Sequence, residues 1–371
     1  MLNWFFKSLL EEGIMANNGQ TRIFAGAANS LLPSGHKTRG GLYRRHAGSD
    51  SDWQSLTAGL PENVDVYVIV VHPHNSDVIF VGTQDGPYRS IDGGDHWERL
   101  GFPERGAVVW SMIIHPTRPN VMYAGTAPIA LYRSEDGGDT WRKLPNVKST
   151  DHCGPSYLSR LIRIGIEASR PDEIYLGLEV SGVLHSADAG ETWQDLSAPL
   201  IKLAEQPHLK SNLGGTGDHE GMMDSHAIAL SSAAPKSAFL AVRVGIFRTD
   251  DGGASWQDMQ VGRFSPVTYC RDLKVSRHDP RVMYACMSPY ARSKDGSLYR
   301  SDDVGATWKR LDHGVKANGT MMSVAEHPAD PARVYCVSRA GEVFGTEDAG
   351  VSWTTYKNPT AAMDGYAVAC T

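Results

Sequence analysis

Seven tryptophans recur through this chain, each closing a short polar box. "SIDGGDHW" ends at Trp97, "SEDGGDTW" at Trp141, "SADAGETW" at Trp193, "TDDGGASW" at Trp256, "SDDVGATW" at Trp308 and "TEDAGVSW" at Trp353. A degenerate first copy, "RRHAGSDSDW", ends at Trp53. The spacings are 44, 44, 52, 63, 52 and 45 residues. A repeat of this length means one supersecondary unit per period, stacked on its neighbours because no unit buries its apolar face alone. The box itself is turn chemistry. Aspartate accepts backbone N–H bonds across a tight turn, and glycine takes backbone angles that other residues resist. The tryptophan buries its ring beside the turn.

What precedes each box defines the unit. Apolar runs such as "VYVIVVHPHNSDVIFVGT" and "VVWSMIIHPTRPNVMYAGT" break at a proline or polar turn and resume, as the strands of a hairpin do. A third strand ("PYRS", "ALYRS", "GIFRT", "SLYRS") leads into the box, and a fourth follows the tryptophan. Four strands per repeat predict a β-propeller. Seven boxes predict seven blades, forming one all-β domain over residues 21–371 behind an N-terminal extension, residues 1–20. The first blade opens on "TRIFAGAA", which reads as a second strand. The chain closes on "DGYAVACT", a first strand with no successor. The tail is therefore expected to complete blade one and close the ring, leaving no open sheet edge.

The six well-formed boxes resemble those of the Asp-box (BNR) repeat family, and the resemblance runs over nearly the whole chain from about Arg22. That family includes sialidases, xyloglucanases, sortilin-type receptors and a photosystem II assembly factor. The resemblance implies a propeller and leaves the function open.

Composition narrows the function classes. A formal charge of -6 argues against a nucleic-acid or anionic-membrane surface. No stretch reaches the roughly 20 apolar residues that cross a bilayer. The N-terminal "MLNWFFKSLLEEGIMANNGQ" places acids where a signal-peptide cleavage site would stand, and Met15 offers a second start. The five cysteines (Cys153, Cys270, Cys286, Cys336, Cys370) form no C-x-x-C pair, so free thiols in a reducing cytoplasm are expected. There is no G-x-S-x-G elbow, Walker loop or dinucleotide fingerprint, so no nucleotide cofactor is implied.

Propeller topology sorts the polar residues by face. The boxes and the "HP" turns of His72, His115 and His327 share one face, and these histidines read as turn chemistry. Loops between blades reach the channel mouth on the other face. The longest spacing, 63, holds "GDHEGMMDSH" between blades four and five, a long connection of the kind that often carries function. The hairpins align on Phe80, Tyr123, Tyr175, Phe239, Tyr284 and Tyr335. Thirteen residues earlier, on the innermost strands, stand Tyr67, Trp110, Ile162, His226, Arg271 and Met322, with Tyr366 their equivalent in the tail. Two residues further back stand Asp65, Val108, Arg160, Asp224, Tyr269, Thr320 and Asp364. Side chains two apart on a strand share a face, so both sets are expected at the channel. Arg163 falls one residue off this register and is expected in the sheet packing unless a bulge re-aims it. Mouth-side loops add Gln84, Glu179, Arg243 and Arg339. Later residues of the inner strands are mostly apolar, so polarity is expected to collect at the mouth.

Cations, aromatics and a few carboxylates together suit a small polar or anionic substrate, whether aromatic, a lactone or a sugar acid. In a hydrolase or lyase, His226 beside Asp224 would act as general base, with Arg160 and Arg271 stabilising a developing oxyanion or enolate. Tyr67, Trp110, Asp65, Met322, Glu179, Arg243 and Arg339 would bind the substrate. In a metal site, Asp224 and His226 would chelate with His219, Glu220 and His152, a mixed set suited to zinc, manganese or calcium. The family resemblance adds two alternatives. Its sialidases use an arginine triad and a tyrosine nucleophile on six blades, which Arg160, Arg271 and Arg243 with Tyr269 or Tyr366 would imitate. Seven boxes and the lack of a clean [FY]-R-I-P motif weigh against that. Its photosystem II factor docks a partner through an arginine patch, so a non-enzymatic docking propeller is the competing class.

Overall fold

The computed structural model describes residues 20–29, 37–48, 52–150, 152–154, 158–215, 217–356, 358 and 364–371. Apart from Gln20, the expected N-terminal extension lies outside the described residues. The described residues form seven four-stranded antiparallel sheets, and each inner strand packs on those of the neighbouring blades around a ring. The inner strands are Gly365–Cys370 (blade one), Val66–His72, Val108–Ile114, Leu161–Glu167, Ser225–Leu230, Tyr269–Val275 and Met321–Glu326.

The tail closes the ring as expected. Gly365–Cys370 pairs with Arg22–Ala27, with Ile23 opposite Cys370 and Ala25 opposite Val368. Arg22 and Thr371 exchange backbone hydrogen bonds of 3.2 and 3.0 Å, and Arg22 Nε donates to Thr371 Oγ1 at 2.9 Å. The first and last segments of the propeller thus share one sheet, and no blade lacks an inner strand.

Each box works as a small hydrogen-bonded clasp. In blade three, Asp136 accepts from the Thr140 amide (2.9 Å) and hydroxyl (2.6 Å), and Ser134 donates to it at 2.7 Å. The same aspartate-to-amide bond recurs at Asp92, Asp188, Asp251, Asp303 and Asp348. The second glycine is required twice over. Gly138 has φ +97, and a Cβ there would fall 2.9 Å from Leu100 of the preceding blade. The position before it is looser: Ala189, Val304 and Ala349 take φ near +57 to +59 without being glycine. The box also binds its own hairpin turn, the Gly137 amide donating to Asn120 O at 2.8 Å, which puts both turns on one face. The arginine of the third strand reaches the next blade's box, as in Arg44–Asp95 (2.6 Å) and Arg89–Asp139 (2.8 Å). On that face the "HP" histidines act as turn acceptors, Nδ1 taking the amide two residues on at His72, His115 and His327.

Between blades the core is aromatic and branched aliphatic. Phe80, Leu100, Val109, Met122 and Trp141 form one such cluster, joining blades two and three. The 63-residue spacing holds helices α1 (Ser197–Leu203) and α2 (Glu220–Met223). Leu200 and Met222 from this insertion are fully buried against blade five.

Candidate functional site

Every inner strand carries a β-bulge, and the extra residue is in each case the one singled out by the alignment. Tyr67, Trp110 and Ile162 are skipped by the pairing of their strands with the second strand of the hairpin. His226, Arg271, Met322 and Tyr366 are skipped in the same way. A bulge bends the strand and re-aims the side chain. All seven bulged residues line the central cavity, which encloses about 530 Å³ including solvent at its opening. Glycine on the second strand makes room for the bulged strand of the next blade: a Cβ at Gly82 would fall 2.7 Å from Val109 O.

The seven form one tier across the bore. Tyr67 and Trp110 lie with ring centroids 3.9 Å apart, and Tyr366 meets both edge-on at 5.7 and 5.8 Å. Arg160 covers the other face of Trp110, 4.1 Å from the ring centre. These contacts join blades one, two, three and four in one aromatic–cation stack. Tyr67, Tyr269 and Tyr366 all have pKa values raised chiefly by burial, so their phenols stay protonated.

On the mouth side of the tier the charges pair with one another. Arg160 contacts Glu179 at 3.1 Å, Arg243 contacts Asp224 at 3.1 Å and Arg339 contacts Asp364 at 3.0 Å. Asp65 accepts from Asn29 Nδ2 at 2.7 Å, and its own amide donates to Gln84 at 2.8 Å. Burial pushes Glu179 up to about 7, because desolvation outweighs Arg160 and its other cationic neighbours. Asp224 behaves oppositely. Burial acts against its carboxylate, but His226 and Arg243 hold it at about 2.

His226 is buried with both ring nitrogens engaged. Nδ1–H donates to Cys270 O at 2.8 Å, and Nε2 lies 3.2 Å from Asp224 Oδ2. Burial lowers the imidazole pKa against the pull of Asp224. Both ring nitrogens are thus engaged within the tier.

Arg271 is different. It lines the cavity, and its guanidinium has no hydrogen-bond or ion-pair partner among the described residues. Burial works against its charge, but Tyr269, Asp224, Tyr366 and Glu179 together raise its pKa. It is a bore cation held in a field of neighbours with no hydrogen bond or ion pair to them.

The bore below the tier is more polar than the sequence reading anticipated. The bulge at Ile162 re-aims Arg163 out of the sheet packing and into the cavity. Arg163 donates to Asp272 at 2.8 Å, and Lys274 stands 3.7 Å from the same carboxylate. Asp272 is fully buried and also accepts from Ser323 Oγ and the Val324 amide, at 3.2 and 3.1 Å. The signal was present in "YCRDLKV", an inner strand that sets Asp272 beside Arg271 and places Lys274 where its counterparts (Val70, Ile113, Gly165, Ala229, Ala325, Ala369) are non-polar.

The residues weighed as metal ligands are turned to other partners. His152 Nε2 bonds Asp195 at 2.8 Å, and His219 Nε2 donates to His152 O at 3.2 Å. Glu220 accepts the Leu213 and Gly215 amides at 2.7 and 3.2 Å, organising the insertion's own loop. Among the described residues no three His, Cys, Asp or Glu side chains converge to hold a metal ion. All five cysteines are free and buried, and among the described residues no helix is long and apolar enough to cross a membrane.

Fold and box chemistry together define a seven-bladed Asp-box β-propeller. Residues 296–368 match the Sortilin-Vps10 family, described as sortilin, neurotensin receptor 3. No curated protein matches the sequence. Among solved structures, the chain resembles a GH74 xyloglucanase from Xanthomonas campestris at 16% identity and TM-score 0.58, covering 82% of this chain and 46% of the enzyme. An ancestral GH74 enzyme gives 15% identity and TM-score 0.58, covering 83% of this chain and 40% of that one. YCF48 from Cyanidioschyzon merolae gives 13% identity and TM-score 0.55, covering 85% of this chain and 90% of that one. The chain therefore spans less than half the length of either GH74 enzyme. At these identities the likeness is one of fold.

Proposed function

We propose that the protein binds a small anionic substrate in the central tier and acts on it as a hydrolase or lyase. The observation that supports this reading is Arg271, an unpaired guanidinium facing a cavity walled by Tyr67, Trp110 and Tyr366. An unpaired charge held out of bulk water is costly, and an anionic ligand would relieve that cost. Tyr67 and Trp110 supply an apolar wall for the body of the ligand. Glu179, at about 7, is tuned to give or take a proton near neutrality, and its carboxyl shares the electrostatic field of Arg271. In this reading Glu179 carries the acid/base role, and His226 positions Asp224. The substrate is a small molecule rather than nucleic acid or membrane, and the setting is the cytoplasm.

The test is titration of the full chain with benzoate, followed by thermal shift. Benzoate should stabilise the parent, and Arg271→Met should weaken binding by roughly tenfold or more, the worth of a charge-assisted hydrogen bond. The variant should fold, since it removes a cation that makes no hydrogen bond or ion pair among the described residues. Equal benzoate binding by Arg271→Met and parent would defeat the reading.

A docking role has one observation in its favour: Leu158 and Tyr290, on mouth-side loops, are 68% and 58% exposed. If the protein works by docking, Leu158→Ser with Tyr290→Ser should abolish partner capture, and Arg271→Met should leave it intact.

A further inference from the structure

The lining of the bore cavity holds three cationic side chains, Arg163, Arg271 and Lys274, and no carboxylate. The nearest counter-charge in the lower bore, Asp272, is fully buried behind the lining and is shared between Arg163 and Lys274. Two cations meet one carboxylate there, and Arg271 in the tier above meets none. His226 is engaged by Asp224 and Cys270 O and offers no free donor to a ligand. The cavity thus presents, at each of two levels, a cation that has no carboxylate to itself among the described residues.

Both levels are presented by one strand. Tyr269–Val275 bulges between Cys270 and Asp272, so Arg271 joins the side that Asp272 and Lys274 occupy by ordinary alternation. Three residues of strand separate Arg271 from Lys274, about 10 Å at ~3.3 Å per residue, less what the bulge takes up. Two long, flexible side chains can close that gap onto one elongated ligand. The Lys274 ammonium bonds Val324 O and keeps 39% of its side-chain surface exposed, so it retains donors for an incoming group.

From this arrangement we propose that the bore ligand is a small dianion with two separated anionic groups, of dicarboxylate type. Arg271 holds one group in the aromatic tier, and Lys274 with Arg163 holds the other below it. The inference rests on the anion site proposed above and specifies its substrate class.

Isothermal titration of the full chain with succinate, glutarate and adipate, against butyrate as the monoanion, reads both claims separately. At least one dicarboxylate should bind roughly tenfold or more tighter than butyrate, the effect of a second charge-assisted contact. Lys274→Met should bring that dicarboxylate down to the butyrate level while leaving butyrate unchanged, and Lys274→Arg should restore the preference. Arg271→Met should weaken both kinds of ligand. If butyrate binds as tightly as every dicarboxylate, and does so through Arg271, the dianion inference falls while the anion site stands. If no carboxylate binds in a way that depends on Arg271, both fall together. Melting temperatures of the variants close to the parent's establish that lost binding is not lost folding.

Discussion

Glu179 and Asp224 show how two carboxylates of one mouth acquire opposite characters. Each contacts an arginine, Arg160 or Arg243, at 3.1 Å. Asp224 also has His226 against it, so charge interactions overcome its burial; Glu179 lacks that second partner, and desolvation wins. The consequence for stability follows from linkage. Glu179 is raised from 4.5 to about 7 on folding, so the folded state holds the proton more tightly. Its contribution to stability is present below pH 4.5 and is lost as pH rises to about 7. Glu179→Gln mimics the protonated form. It should match the parent below pH 4.5 and exceed it above pH 7, by on the order of 2–3 kcal/mol. Thermal unfolding at pH 4 and pH 8 checks this, and equal melting temperatures at pH 8 would remove Glu179 as a tuned group. Asp224 contributes with the other sign. Its stabilisation holds above 3.8 and disappears as pH falls to about 2.

At the scale of the element, two local devices divide the work. Boxes tie the outer turns of one face, and bulges aim side chains into the bore. Asp136 serves only the first purpose, accepting from Ser134 and from the amide and hydroxyl of Thr140. Its replacement by alanine should destabilise the protein by about 1–2 kcal/mol, the worth of lost hydrogen bonds in a partly exposed turn. Benzoate affinity should not change, because the box faces away from the tier. A folded Asp136→Ala protein with selectively weakened binding would contradict that division of faces. The bulges account for what alternation misplaced. A strict period of two sends Arg163 into the sheet, whereas the extra residue at Ile162 shifts the period and brings Arg163 to Asp272.

The whole molecule depends on its tail. Without Gly365–Cys370, blade one would lose the partner of Arg22–Ala27, and the inner strands of blades seven and two would lose the neighbour they share. Tyr366 would go with it, removing the edge-on ring from the Tyr67–Trp110 stack. Deleting residues 364–371 should therefore abolish the cooperative thermal transition or lower it far more than any single substitution considered above. A truncated chain that melts like the parent would mean that closure contributes little.

The repeat made the fold legible before any coordinate was known. The boxes are local chemistry: Asp, Gly and Trp at fixed offsets specify a turn whatever lies around them, and seven of them at this spacing specify seven blades. "TRIFAGAA" and "DGYAVACT" were readable as strands two and one for the same reason, since each carries its pattern within a few residues. The seven bulged positions were also found from sequence, because one hairpin template aligns them all. Contacts between blades were a different matter. That Arg160 meets Glu179 and stacks on Trp110, that Arg163 reaches Asp272 across 109 residues, and that Arg271 meets no partner are outcomes of ring geometry. Local pattern determined which residues would turn toward the axis. Only closure of the ring decided which of them would neutralise one another and which cations would be left facing the cavity, because ion pairing depends on distances between chains of atoms that the sequence holds far apart.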